Sequence, residues 1–248
     1  MQFLVLQHAR VEHPAAFRAL MERAGHSWHP VHLDEGESPP AESDLADYDA
    51  LWVMGGPMDV WEEDQYPWLA PEKALVAAAI RGGLPFFGLC FGHQILAEAL
   101  GGRCAPGRAE VGVMDVYLTA AGRASPLLAG LPDRLDVLQW HGAEVVDVPP
   151  GAQVLATSPD CAVQAMSVGA RAFSAQFHLE VETDTVDNWA AIPAYAAALE
   201  DAFGEGGVEQ LREDCLARMA EFGHGAETVW RNWCAACNIP AGPEMVEA

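Results

Sequence analysis

Lysine is almost absent from these 248 residues; Lys73, in PEKALVAAA, is the single one. Schiff-base chemistry therefore has one candidate, on what reads as a solvated helix face. Basic charge is scarce altogether, with 13 Lys and Arg against 36 Asp and Glu and a formal net charge of −23. Phosphate backbones and anionic lipid surfaces are gripped by Lys/Arg patches, so neither nucleic acid nor a membrane is an expected partner. Apolar runs of the ~18–20 residues that cross a bilayer are missing too. The start, MQFLVLQHAR, carries neither a basic leader nor a small-residue cleavage site and reads as a first strand. Neither a G-x-x-x-x-G-K-[ST] phosphate loop nor an S-G-G-x-D-S loop occurs, which leaves ATP chemistry without an obvious seat.

What is present is apolar. Hydrophobic residues make up 51% of the chain, enough for a sizeable core. The six cysteines, Cys90, Cys104, Cys161, Cys215, Cys234 and Cys237, are dispersed, so reduced thiols in a cytoplasmic setting are expected. Cys234 and Cys237 form a CAAC with metal or redox spacing. A zinc site needs four ligands, and beyond His224 no further candidate lies near, so no metal is expected there.

Along the first hundred residues strand-like and helix-like patterns alternate. FLVLQ (3–7), VHL (31–33), DALWVMGGP (49–57) and LPFFGL (84–89) read as buried strands. HPAAFRALMERAG (13–25), APEKALVAAAIRGG (70–83) and FGHQILAEALGG (91–102) read as the helices between and after them. Parallel strands need such crossovers, so this predicts a mainly parallel central sheet flanked by helices. MDVYLT, RLDVLQW, AQVLATS, CAVQAMSVG and RAFSAQFHLEV then have the rhythm of antiparallel hairpins and predict a small antiparallel layer. Helical patterning returns at 186–203 and 207–222, where Leu211, Cys215, Met219 and Phe222 share a face. We expect one domain over 1–203, a helical extension over 204–248 and a frayed end at EMVEA.

In such sheets the working loops lie beyond the strand C-termini. Three qualify: Gln7-His8-Ala9, Gly55-Gly56-Pro57 and Gly88 to Gly92. The last reads G-x-C-x-G between a strand and a helix, the cysteine counterpart of a nucleophile elbow. Cys90 has two readings, a small buried hydrophobe or a nucleophile at a helix N-terminus, where the dipole favours thiolate. A nucleophile wants a base and a group to orient it. His178 and Glu180, two apart on the last strand, share one face and so supply both. Backbone amides of Gly55, Gly56 and Phe91 are candidate donors to an oxyanion, though a Gly-Gly-Pro can equally just end a strand. The aromatic, acidic loop MDVWEEDQYPW (58–68) is either a lid or partner surface, or a solvated loop anchored by its rings.

GGPMD, GLCFGHQILAEALGG and QFHLE, in this order and spacing, resemble the class I (triad-type) glutamine amidotransferases, nearest to the amidotransferase domain of GMP synthase and its free-standing relatives. The resemblance covers roughly residues 1–200. It implies the flavodoxin-like fold of that family, a catalytic triad of Cys90, His178 and Glu180, and an oxyanion turn at Gly55-Gly56 with the Phe91 amide. It implicates Gln94 in the substrate pocket, and leaves His141 as either a residue of the pocket rim or a structural imidazole. The implied reaction cleaves the γ-glutamyl amide of glutamine or a related small molecule through a thioester, without metal or organic cofactor. A separate synthetase subunit would then receive the ammonia; alternatively the chain hydrolyses γ-glutamyl peptides or amines, or is a non-catalytic binding module that keeps the fold. Two departures stand out. Leu179 replaces the proline that usually follows the histidine, and Trp140-His141-Gly142-Ala143, followed by Glu144, replaces W-H-G-D.

Overall fold

The computed structural model describes residues 1–243; EMVEA, expected to fray, lies outside the described residues. The alternating half comprises β1 (Gln2–Gln7), α1 (Ala16–Arg23), β2 (Ser27–His32), β3 (Ala50–Val53), α2 (Leu69–Arg81), β4 (Phe86–Leu89) and α3 (Phe91–Ala99). There follow β5 (Arg103–Leu118), α4 (Ala120–Ala124), β6 (Arg134–Asp147), β7 (Ala152–Thr157), β8 (Ala165–Val168) and β9 (Ala172–Ala175). The chain then runs through α5 (Thr185–Ala190), α6 (Pro193–Phe203), α7 (Gly207–Leu216) and α8 (Met219–Cys237).

All nine strands join one sheet, in the order β2-β1-β3-β4-β9-β8-β7-β5-β6. From β2 to β9 the neighbours are parallel, and from β9 to β6 they are antiparallel. The expected antiparallel strands thus continue the hydrogen-bonded sheet. β9 is the hinge of this arrangement: it returns late in the chain to lie parallel to β4 and antiparallel to β8. That return places the residues after β9 beside those after β4.

Both faces of β1, β3 and β4 are buried, so these strands read as apolar runs. On one face Leu75, Val76, Ile95 and Leu96 of α2 and α3 pack against Leu4, Leu51 and Phe86. On the other, Phe17 of α1 and Trp230 and Trp233 of α8 pack against Phe3, Trp52 and Phe87. There the Trp52 and Phe87 rings stack with centroids 4.2 Å apart, and Trp233 meets each edge-on at 5.5 Å. The Trp233 Nε1–H donates to the Phe86 carbonyl at 3.0 Å, so the indole is both packed and satisfied. Truncating it to alanine costs about 3–5 kcal/mol.

Sequence periodicity misplaces several boundaries. β2 begins at Ser27, earlier than VHL suggests, because it pairs with β1 along its whole length; as an edge strand it tolerates Pro30. The pattern over 186–203 is two helices, with Pro193 opening the second, where a missing N–H costs nothing. That over 207–222 also breaks in two, and α8 runs on to Cys237. Cys234 and Cys237 are therefore core residues of a helix. Burial pushes the Cys237 thiol up to about 11 and raises that of Cys234 further. No described helix is long and apolar enough to cross a membrane.

Candidate active site

The ends of β1, β3, β4 and β9 converge at one edge of the sheet, and each delivers one part of the site. After β4 the chain turns into α3 through Cys90, whose φ of 50° and ψ of −104° lie outside the regions a side chain prefers. Holding such a conformation costs on the order of 1–3 kcal/mol, so the surroundings must impose it. They do: the Cys90 amide donates to the Ala175 carbonyl at 2.8 Å, and that of Gly92 donates to Met54 at 3.1 Å. Gly92 lies so close to β3 that a Cβ there would collide with the Val53 carbonyl. The second glycine of G-x-C-x-G is thus a packing requirement.

After β9, His178 and Glu180 come to the same edge. The His178 Nδ1–H donates to Glu180 Oε1 at 2.6 Å, and the other carboxylate oxygen accepts from the Leu179 amide at 3.0 Å. A mutual bridge with Leu138 of β6 fixes the His178 backbone, and Trp189 packs edge-on against its ring. Burial disfavours charge on this imidazole. The Glu180 carboxylate and then the Cys90 side chain outweigh it, so the pKa is raised well above the ordinary histidine value. With Nδ1 bound to Glu180, the Cys90 side bears on the remaining nitrogen.

Cys90 opens into a cavity of about 160 Å³ whose lining includes Gly56, Phe91, Gln94, His141 and Tyr195. Among the described residues, neither the Gly56 nor the Phe91 amide has a hydrogen-bond acceptor, so both donors are available to a ligand. Gly55 is absent from the lining. Its carbonyl accepts from His8, and a Cβ on it would run into the Glu12 carboxylate. Gln94 donates to the Ala143 carbonyl at 3.3 Å and to Gln176 Oε1 at 3.1 Å. His141 is buried in the cavity wall, its Nδ1–H donating to Ala143 at 3.0 Å. The loop over 58–68 contributes Met58 and Asp59 to the wall, while Trp61 stays exposed.

Several residues of this site carry no assignment from sequence. The Gln176 Nε2 donates to Cys90 Sγ at 3.6 Å, completing a chain from Ala143 through Gln94 to the thiol. It lies two residues before His178 in QFHLE, so strand alternation could have found it. Tyr195 lines the cavity and donates to Glu12 Oε1 at 2.5 Å. Burial holds the Glu12 carboxyl above its usual range against the pull of His178 and Tyr195. No local pattern links Glu12 to Tyr195, which lie 183 residues apart.

Glu110, His141 and Cys161 bring metal-ligand atoms within 4.8 Å of one another, the single such group among the described residues. The His141 Nε2 lies 3.1 Å from Glu110 Oε2, off hydrogen-bond alignment. Glu110 already accepts from Ser158 and Gln164 at 2.7 Å each, and burial pushes the Cys161 thiol up to about 12. A metal here would have to displace those donors and the thiol proton.

A family model described as glutamine amidotransferase class-I matches residues 15–189. A Salmonella typhimurium protein described as glutamine amidotransferase-like is 30% identical over 230 residues, covering 90% of this chain and 92% of the relative. The GMP synthase of Thermomicrobium roseum is 38% identical over 151 residues, 56% of this chain but 27% of that relative. The chain thus spans about a quarter of the length of the GMP synthases it matches. A glutamine amidotransferase of Thermotoga maritima superposes with a TM-score of 0.82 at 26% identity, covering 94% of this chain and 97% of that one. A glutamine amido transferase from Methylobacillus flagellatus, at 24% identity, shares the fold with a TM-score of 0.82, covering 100% of this chain and 98% of that one.

Proposed function

The chain belongs to the class-I glutamine amidotransferase family, and from that premise we propose that it cleaves a γ-glutamyl amide through a thioester on Cys90. The observation that carries the reading is the elbow: a strained cysteine opening into a cavity, with a carboxylate-bound, charge-favouring imidazole beside it. Cys90 attacks the γ-carbonyl as thiolate, and the carbonyl electrons move onto oxygen. The Gly56 and Phe91 amides, with Gly55 shaping the turn, stabilise that oxyanion. His178, held by Glu180, gives its proton to the departing amine as the C–N bond breaks. The imidazole then takes a proton from water, whose oxygen displaces sulfur to release glutamate. Gln94 and His141 hold the glutamyl portion, and this half-reaction draws on no cofactor.

Two specific observations bear on the fate of the amine. Pro57, Met58, Trp140 and Tyr195 give the cavity lining an apolar share, which favours γ-glutamyl amines or peptides beside glutamine itself. Likeness to GMP synthases over part of their length favours a separate synthetase subunit as ammonia acceptor. We read 204–248 as an extension of the 1–203 domain, with α7 and α8 packed on that domain's core, and six free cysteines support a reducing, cytoplasmic setting. The test is glutamate release from glutamine, γ-glutamyl amines and γ-glutamyl peptides, with Cys90→Ala alongside. Release by the native chain alone supports the reading; equal background from both would leave a non-catalytic module.

A further inference from the structure

His8, at the end of β1, is fully buried together with Glu72 of α2, and the site so far described gives neither a task. The His8 Nδ1 lies 3.0 Å from the Gly55 carbonyl oxygen and Nε2 lies 2.8 Å from Glu72 Oε1. A carbonyl only accepts, so Nδ1 carries a proton. A neutral ring would then present a lone pair to the carboxylate, so a second proton is shared between Nε2 and Glu72. Among the described residues the other Glu72 oxygen has no partner, which leaves His8 as the one hydrogen-bonding partner of that carboxylate there. Trp68 and Phe91 enclose the ring, and Glu12 is the other acidic group bearing on it.

The consequence follows from peptide planarity. The Gly55 C=O and the Gly56 N–H belong to one trans peptide, so they point in opposite directions. A carbonyl locked towards His8 aims the Gly56 N–H away from His8, and Gly56 lines the cavity beside Cys90 and Phe91. Glycine on both sides of that peptide offers no Cβ to resist its rotation. Polarising the carbonyl with a buried ring N–H whose far nitrogen shares a proton with Glu72 also strengthens the Gly56 N–H as a donor. The same ring packs edge-on at 4.7 Å against Phe91, whose amide is the other free donor.

We infer that His8 and Glu72 form a positioning pair that fixes the Gly55–Gly56 peptide with its N–H directed at the developing oxyanion. This rests on the γ-glutamyl reading above but is separable from it. Burial opposes charge on His8, yet Glu72 outweighs it and the ring's pKa is raised, in keeping with the geometry.

The test joins imidazole ¹⁵N NMR to kinetics on the full chain. The native protein should show both His8 nitrogens protonated at neutral pH, a state that Glu72→Gln should weaken. His8→Leu should lower kcat by about 10- to 100-fold, short of deleting an oxyanion donor. KM and the rate of Cys90 alkylation by iodoacetamide should change less than about twofold, on the same ground that ground-state binding and the thiol are untouched. His8→Gln, whose amide can still donate to Gly55, should recover part of kcat. A neutral His8, an unchanged kcat, or kcat, KM and alkylation failing together would overturn the assignment. Were the native chain to cleave no γ-glutamyl amide, the functional reading would fall, and the NMR arm would still decide the pair.

Discussion

Two buried histidines near the cysteine elbow are hydrogen-bonded to a carboxylate, His178 to Glu180 and His8 to Glu72, and they differ in what the second ring nitrogen faces. In both, the carboxylate overcomes burial and raises the imidazole pKa. His178 gives Nδ1 to Glu180 and leaves its other side to Cys90, so it has a nitrogen with which to exchange protons. His8 commits both nitrogens to protein acceptors, Gly55 and Glu72. Identical residue types thus yield one ring suited to chemistry and one suited to holding a peptide. His93 on α3 is the control: without a carboxylate, burial lowers its pKa to about 3, and it bonds Ser174 and Val163 as a neutral ring.

The comparison breaks hardest at the cysteine. Cys90→Ala should reduce glutamate release by about 10⁴-fold or more, since nothing else on the cavity wall can form the thioester. Next comes Glu180→Gln, expected to cost about 10²–10⁴-fold in kcat. It also carries a pH signature. A raised His178 pKa means that the alkaline limb of kcat/KM lies above the ordinary histidine range, and removing the carboxylate should move that limb to lower pH. In stability, the His178 contribution is fully present below the unfolded value near 6.5 and is lost as pH rises through its raised folded value.

Gln176→Leu sharpens the account by removing a donor to sulfur while leaving the His178–Glu180 pair intact. A loss of roughly 10-fold in kcat is expected, as for a single hydrogen bond to a charged group, with the pH limbs unmoved. The smallest effects fall outside the chemistry. Gly92→Ala should lower stability by about 1–3 kcal/mol in thermal unfolding, because its Cβ meets the Val53 carbonyl. His93 contributes with the opposite pH sign to His178: its share is present above 6.5 and is lost progressively as pH falls towards about 3. His93→Gln should therefore flatten the acid side of the stability curve.

How far the sequence reaches is a matter of separation along the chain. His178 and Glu180 are legible because two residues on a strand share a face, and G-x-C-x-G is legible because a turn is local. The alternation of apolar runs and amphipathic helices likewise carries the parallel half of the sheet. His8 and Glu72 stand 64 residues apart, and only the β1–β3 adjacency and the packing of α2 bring them together. Glu12 and Tyr195 meet for the same tertiary reason. Helix ends at 191–192 and 217–218 escape periodicity because apolar residues continue across the breaks.

Mass spectrometry of an acid-quenched reaction detects the Cys90 thioester itself. With a turned-over γ-glutamyl substrate, the peptide containing Cys90 should carry a γ-glutamyl group, and Cys90→Ala should carry none and release no glutamate. Turnover with Cys90 unmodified, and with Cys90→Ala as active as the native chain, would contradict a thioester at the elbow.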